Sequence, residues 1–392
     1  MNYKKLLIPS FVVMAALSLQ VCAKELQAEV KYTANTGDIY TELKPAVINS
    51  ISQPYPEIAR LIEYNHCPEA DEKIKELLNQ KPNDPSLIAL KAVSQAKQHM
   101  LEPAQFELDK LLKSNPNNPI VHYAQGYVFM MRQTASDVDY IKTTRGLLNG
   151  ALKEFLAAVN LDKNYYQAYN AMGMATLKMG NKSDAMDLFK AALQINPTFA
   201  NAYDNIGIVE MMNGNLDGAE ENFMKAMKYN THNPTAWYHM CQVETRRGNY
   251  SKALTWVNHS LHVNPNSSPA LTLQGELYLK QGNQAAAINS FKKAQNVKPE
   301  NIRPYLNLAT VYENRADEEF AIEQLKTALA ITPNNSESKL RIANLSLHIR
   351  KYDQALDYYS QLVGDATYND DAIIGLANTY YEMSKDRGEN NR

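Results

Sequence analysis

Residues 166–199 read YQAYNAMGMATLKMGNKSDAMDLFKAALQINPTF. Gly180 stands in the middle of this stretch, where two helices would need a tight turn. The second half carries three apolar residues at spacings of four and three, which lie on one face of a helix: Ala185, Phe189 and Ala192. Pro197 follows and ends that helix. The stretch therefore predicts a helix, a short turn and a second helix.

The same pattern recurs along the chain at a fixed period. One alanine marks each repetition: Ala70, Ala104, Ala151, Ala185, Ala219, Ala253, Ala287, Ala321 and Ala355. Successive alanines are 34 residues apart, except for 47 between Ala104 and Ala151. A bulky apolar residue follows each by four positions: Ile74, Leu108, Phe155, Phe189, Phe223, Val257, Phe291, Leu325 and Tyr359. A period of this length indicates an array of helical repeats, in which each unit contacts its neighbours and the stack presents an extended groove.

These residues resemble the tetratricopeptide repeat (TPR) family. Residues 166–199 match the aromatic, Leu-Gly, Gly, Ala, Phe, Ala and Pro positions of that family nearly in full. The resemblance implies an all-α, superhelical solenoid of helix–turn–helix units. In this register nine units follow one another: 51–84, 85–118, 119–165 with an insertion, 166–199, 200–233, 234–267, 268–301, 302–335 and 336–369.

Three units depart locally from the pattern. In the first, Pro56 shortens the first helix. The third has thirteen extra residues, and its second helix is predicted to run from Ser136 to Leu161 and to project beyond its neighbours. That projection is either a contact for a partner or a tolerated insertion. Ala316 replaces the turn glycine of the unit 302–335.

The two ends of the chain lack the full pattern. Residues 24–50 are predicted to be a linker or an N-terminal cap. Residues 370–392 are predicted to form a capping helix and a polar tail, with Ile373, Leu376, Ala377 and Tyr380 on the apolar side of the helix. A tenth unit that is cut short is the alternative.

The first residues predict export. Two lysines, Lys4 and Lys5, precede an apolar run of about 15 residues that ends in Val21, Cys22 and Ala23, which is typical of a secretory signal peptide spanning residues 1–23. The expected location is the periplasm or another part of the cell envelope. Two alternatives remain, namely an uncleaved helix that anchors the protein at a membrane and a bacterial lipoprotein with a lipid on Cys22.

Composition and cysteines favour a soluble exported scaffold. The formal net charge is −2, and it becomes −4 when the two positive charges of the leader are removed, so no basic surface for nucleic acid is indicated. Cys67 and Cys241 lie five units apart, too far for a disulfide in a regular stack. Cys241 is expected to be buried, and Cys67 to lie in a turn that could be exposed.

No catalytic or cofactor site is predicted. His259 and His262 are three residues apart in one helix, but no third ligand completes a metal site, and surface histidines are the simpler interpretation. The glycines occur singly at repeat turns rather than in phosphate-binding loops. We therefore expect no cofactor, no small-molecule substrate and no enzymatic activity.

The family resemblance implies a concave groove lined by the first helix of each unit. Twelve groove residues are expected from its second, fifth, ninth, twelfth and thirteenth positions: Tyr123, Tyr127, Met130, Met131, Asn170, Met174, Asp204, Ile208, Met211, Met212, Tyr238 and Gln242. Asn205 and His239 lie at its edge. Methionine and tyrosine side chains adapt to varied apolar partners, so the expected partner is a protein or peptide.

One known subtype is not indicated. Heat-shock chaperone adaptors of this family hold a terminal carboxylate with lysine, arginine and asparagine, whereas the matching positions here are Asn170, Met174, Asn205, Thr235 and His239. The leading hypothesis is thus an exported, non-enzymatic scaffold in bacterial envelope assembly. The alternatives are an adaptor anchored at a membrane and, if the chain is a fragment, the regulatory array of an enzyme.

Overall fold

The structure is a computed structural model that describes residues 54–63, 66–132, 140–230 and 234–389, and these residues form nineteen α-helices and no strand. The all-α prediction is thereby confirmed. The helices fall into two compact units, and the division lies between Ala236 and Trp237. The predicted leader and the region 24–50 lie outside the described residues, as does the predicted start of the insertion helix at Ser136.

The first unit consists of helices that pack on their neighbours in chain order. They are α1 (Pro56–Glu63), α2 (Cys67–Gln80), α3 (Pro85–Lys97), α4 (Leu101–Ser114), α5 (Pro119–Met131), α6 (Tyr140–Leu161), α7 (Tyr166–Lys178), α8 (Lys182–Ile195), α9 (Ala200–Met212) and α10 (Leu216–Tyr229). With 22 residues, α6 is longer than the 14-residue second helices α4, α8 and α10. The extra length follows the prediction for the third repeat.

The second unit begins within α11 and repeats the arrangement. Its helices are α11 (Pro234–Arg246), α12 (Tyr250–Val263), α13 (Ser268–Lys280), α14 (Gln284–Val297), α15 (Arg303–Glu313), α16 (Glu318–Ile331), α17 (Ser336–His348), α18 (Tyr352–Ser360) and α19 (Asn369–Glu389). Both units are therefore stacks of antiparallel helix pairs.

The two helices of a pair approach closely because side chains of complementary size face each other. The aromatic ring of Phe223 on α10 lies against Gly207 on α9, where an added Cβ would stand 2.5 Å from the ring. The pair in α13 and α14, Gly275 and Phe291, has the same geometry. All nine marker alanines of the repeat are fully buried. The spacing found in the sequence is thus the spacing of the helix–helix contacts.

In the pairs whose turn the structure describes in full, left-handed backbone at the turn ends the first helix. Gly282 adopts a φ of 76°, and three non-glycine residues take the same conformation at the corresponding turn positions: His99 (62°), Ala316 (54°) and Arg350 (60°). L-residues other than glycine pay a steric cost in this region. These three turns therefore hold backbone strain that the glycine-containing turns do not.

Both described cysteines are free and buried. The burial of Cys241 agrees with its expected packing role, and burial raises the pKa of its thiol to about 12. Cys67 was expected to be accessible in a turn, but it begins α2 and is 5% exposed. The expectation of a turn is wrong, because Cys67 is the first residue of α2.

Candidate functional site

In the first unit, the predicted groove residues lie on the first helices α5, α7 and α9. The amide groups of Asn205 and Asn170 join two of these helices, because Asn205 Nδ2 donates to Asn170 Oδ1 at 2.9 Å. Asn170 Nδ2 in turn lies 3.8 Å from Met174 Sδ, one turn along α7. The structure thus brings these three predicted residues together in one continuous contact.

Tyrosine rings fill the neighbouring part of this face. The ring centroids of Tyr123 and Tyr127 on α5 are 6.1 Å apart, and that of Tyr123 is 5.1 Å from Tyr165. Burial raises the pKa of the Tyr127 hydroxyl far above its usual value and does the same for Tyr123. These hydroxyls therefore stay protonated and act only as hydrogen-bond partners at physiological pH.

A glutamate that the repeat pattern did not indicate lies beside these tyrosines. Glu63, the last residue of α1, accepts a hydrogen bond of 2.8 Å from Gln167 Nε2 on α7. Lys97 Nζ donates to the Ile62 carbonyl oxygen at 2.5 Å and so caps the end of α1. Burial raises the pKa of Glu63 to about 7, although Gln167 and Lys97 act in the opposite direction. Helix α1 is therefore fixed to the inner face of this unit.

The predicted residues of the first unit differ in exposure. Four are buried in the isolated chain: Met130, Asn170, Asp204 and Met211. Six are partly exposed: Tyr123, Tyr127, Met131, Met174, Asn205 and Ile208. Met212 is the most open of the set, at 46%. A partner at this face would accordingly contact Met174, Ile208 and Met212 before it reached the buried members.

In the second unit, the structure places Tyr238 and Gln242 in the wall of a hollow of about 240 Å³ between α11, α13 and α15. Gln242 Nε2 donates to Tyr238 Oη at 3.2 Å. His239 lies next to this pair, with its ring centroid 5.7 Å from that of Tyr238. All three predicted residues are partly exposed.

Charged residues that were not predicted complete this hollow. Arg303 binds the Glu276 carboxylate with both Nε and Nη2, at 2.8 and 3.1 Å, and Asn307 Nδ2 donates to the same carboxylate at 2.9 Å. Glu276 and Arg303 occupy the ninth and second positions of their units, so the register used for the earlier repeats would have found them. The hollow thus combines a paired carboxylate with uncharged donors and acceptors.

Other features of the described residues lie apart from the predicted groove. A larger hollow, of about 470 Å³ and lined by residues of α2 and α3 among others, contains none of the predicted groove residues. His259 packs against Trp237, with ring centroids 5.0 Å apart. The part of the chain that the structure describes holds no group of three or more His, Cys, Asp or Glu placed to bind a metal ion. In the same part, no helix has both the length and the apolar character that crossing a membrane requires.

Comparison with known protein families gives three matches. Residues 166–199 and residues 210–277 each match a family described as tetratricopeptide repeat, and residues 275–314 match a family described as TPR repeat. No curated protein sequence matches the chain.

Solved structures with the same architecture include a chain from the APC/C hetero-tetramer Cut9–Hcn1. It has a TM-score of 0.60 and 16% sequence identity over 74% of this chain and 54% of that one, so this chain spans about half the length of its relative. PilF of Pseudomonas aeruginosa is 20% identical over 54% of this chain and 96% of its own, with a TM-score of 0.47. YrrB, described as a TPR protein with an unusual peptide-binding site, is 21% identical over 50% and 97%, with a TM-score of 0.36. At 16% identity, the similarity to the Cut9–Hcn1 chain concerns the fold alone.

Proposed function

Because the chain is a tetratricopeptide-repeat protein, we propose that it is a non-enzymatic scaffold that binds polypeptide segments on the inner faces of its first helices. Proteins of this repeat type bind protein or peptide partners, which supports a partner of that kind. The observation that carries the proposal is the Asn205–Asn170–Met174 contact, because it holds the partly exposed Asn205 amide, which can bond a peptide backbone, close to the adaptable thioether of Met174.

The proposed place of action is the bacterial cell envelope. The basic start, the apolar run and Ala23 at its end support export by a cleaved signal peptide. The proposed scaffold would then hold envelope proteins together rather than modify them, which agrees with a site built from amides, thioethers and tyrosines.

The test compares two variants that differ in the face they alter. Replacing Met174, Ile208 and Met212 together by Ser removes the accessible apolar part of the inner face of the first unit. Replacing Met224, a residue on α10 that is 56% exposed, by Ser is the matched control. Partners captured from an envelope extract by the parent chain are identified by mass spectrometry, and the affinity of each for the purified variants is then measured.

Interface anchors cost more than about 1 kcal/mol each when truncated, so the triple variant should bind at least about 100-fold more weakly. The control should bind as the parent does. Thermal unfolding of each variant, followed by circular dichroism, ensures that affinity is compared between folded proteins. Equal affinities for the parent and the triple variant would place the binding site elsewhere.

A further inference from the structure

The outward face of the last described helix is apolar. Ile373, Ile374, Tyr380 and Tyr381 of α19 are each 50–60% exposed. The opposite face of the same helix is buried, with Ala372 and Thr379 fully covered. A helix that ended a stack as a cap would be expected to have a polar outer face. The outer face of α19 therefore differs from the polar face expected of a cap.

This face of α19 includes a position that is covered in the earlier repeats. Ala377 occupies the eighth position of its repeat, where preceding first helices carry Gly275, Ala309 and Ala343. Those three are covered within the unit, and at Gly275 the covering group is the Phe291 ring of the second helix. The described residues stop at Glu389, the end of α19, and include no further helix over Ala377. In α19, by contrast, Ala377 is exposed, so this face carries the position at which earlier first helices pack against a second helix.

The order of residues along this face makes it complementary to itself. Five residues lie on one stripe at spacings of four, three, four and four: Asp370, Ile374, Ala377, Tyr381 and Lys385. When two such helices run antiparallel, Asp370 of each faces Lys385 of the other and Ile374 faces Tyr381. The small side chain of Ala377 falls at the centre, where it lets the helices approach closely. We propose that α19 pairs antiparallel with α19 of a second copy of this chain.

The contacts around the stripe fit this arrangement. All five side chains of the stripe are exposed. Lys385 Nζ lies 4.3 Å from the Tyr381 ring centroid and 3.1 Å from Glu382 Oε1, so its charge already lies on this face. Asp370, near the start of α19, accepts an exposed hydrogen bond of 3.2 Å from Nδ2 of its neighbour Asn369. In a two-fold pair each residue contact occurs twice, so these few residues make up a complete isologous interface.

The expected dimer is weak. Stable interfaces commonly bury about 1,200–2,000 Å² in total, and two single helices offer less than that. We therefore expect a dissociation constant in the micromolar range. Sedimentation equilibrium of the purified full chain at several concentrations should show a monomer–dimer equilibrium.

Two substitutions test whether α19 is the interface. Ile374→Glu places a carboxylate in the apolar centre of the stripe and should raise the dissociation constant at least tenfold. Ile374 is exposed, so this change should leave the fold intact, which circular dichroism checks. Phe106→Glu, at a residue that is 64% exposed on α4, is the matched control and should leave the equilibrium unchanged. Equal effects of the two variants would overturn the proposal, as would a parent chain that stays monomeric at every concentration.

A charge exchange tests the antiparallel register. Asp370→Lys alone would set two positive charges against each other at both ends of the pair and should weaken dimerisation. Adding Lys385→Asp in the same chain restores opposite charges and should recover the affinity of the parent at low salt. A double variant that dimerises no better than Asp370→Lys would exclude this register. The residues altered in the test of peptide binding lie on α7 and α9, so this result would leave that proposal unaffected.

Cross-linking provides a direct distance measurement. Ala377→Cys brings two thiols together near the two-fold axis, and mild oxidation should give a disulfide-linked dimer. Cys67 and Cys241 are buried, so the parent chain treated in the same way is the control. Failure of Ala377→Cys to cross-link above the level of the parent would overturn the antiparallel pairing.

Discussion

Single residues set how closely the two helices of a repeat approach, and in several repeats a small residue on one helix faces a larger one on the other. Where the first helix carries glycine, as at Gly207, the second carries a phenylalanine, Phe223. Where it carries alanine, as at Ala309, the second carries a leucine, Leu325, and both are buried in one cluster. In these two repeats, the smaller residue of the first helix faces the larger residue of the second.

Gly207→Ala should destabilise the first unit. The added Cβ would stand 2.5 Å from the Phe223 ring, and overpacking of this kind costs about 1–3 kcal/mol. Combining it with Phe223→Leu recreates the Ala309–Leu325 pairing, so the double variant should lose less stability than the sum of the two single variants. Urea unfolding of the four proteins measures this coupling, and strict additivity would contradict the size-matching argument.

Ala316→Gly should stabilise the second unit. Ala316 has a φ of 54° in a turn where other repeats have glycine, and glycine adopts that conformation without a steric penalty. We expect a gain of about 0.5–1 kcal/mol after the entropy of the more flexible unfolded chain is included. The reverse change at the equivalent turn, Gly282→Ala, should cost about 1 kcal/mol, because no atom lies within 4 Å of the added Cβ and only the backbone is strained. The midpoint of urea unfolding measures both changes. Ala316→Gly should raise the midpoint relative to the parent, and Gly282→Ala should lower it; a shift in the same direction would contradict the argument.

At the scale of a helix, one of the contacts that hold α1 involves a carboxyl group whose charge depends on pH. Glu63 has a pKa of about 7 in the folded protein against an ordinary value of 4.5, because burial disfavours its charged form. Between pH 4.5 and about 7, the Glu63 carboxyl is therefore mostly protonated in the folded protein and mostly ionised in the unfolded chain. The stability that this proton contributes is fully present below pH 4.5 and is lost as the pH rises through 7.

Glu63→Gln should remove this pH dependence, because glutamine cannot ionise and can still accept from Gln167. Relative to the parent, the variant should gain about 1–3 kcal/mol at pH 8 and change little at pH 4.5. Glu76→Gln, an exposed change on α2, is the control. Urea unfolding at the two pH values decides the matter, and an equal effect of Glu63→Gln at both would contradict the argument.

The elements also show which parts of the structure the sequence could predict. The helix pairs and the buried alanines follow from spacing alone, because packing between neighbours repeats with the period. The ion pair of Arg303 and Glu276 lay within reach of the same register. The bond of Glu63 with Gln167 did not, because the two residues are 104 positions apart and belong to no repeated pair. The exposed face of α19 was equally hidden, since a periodic pattern gives the apolar side of a helix but not whether anything covers it.

At the scale of the whole molecule, the predicted export can be tested on the protein recovered from cells. We expect the mature chain to begin at Lys24, because Ala23 is the small residue before the first charge after the apolar run. N-terminal sequencing and intact mass identify the start. A retained Met1 would instead support the anchored form, and a lipid on Cys22 would support the lipoprotein.

The hydrogen bond between Glu63 and Gln167 has a consequence for the order in which the first unit folds. Contacts between consecutive hairpins are local, so a stack can nucleate anywhere and grow in either direction. Glu63 and Gln167 enclose a loop of more than one hundred residues, and the entropy lost in closing it is recovered only after the intervening helices have stacked. This bond therefore forms late, and it turns a row of separately growing hairpins into a closed segment whose two ends stabilise each other.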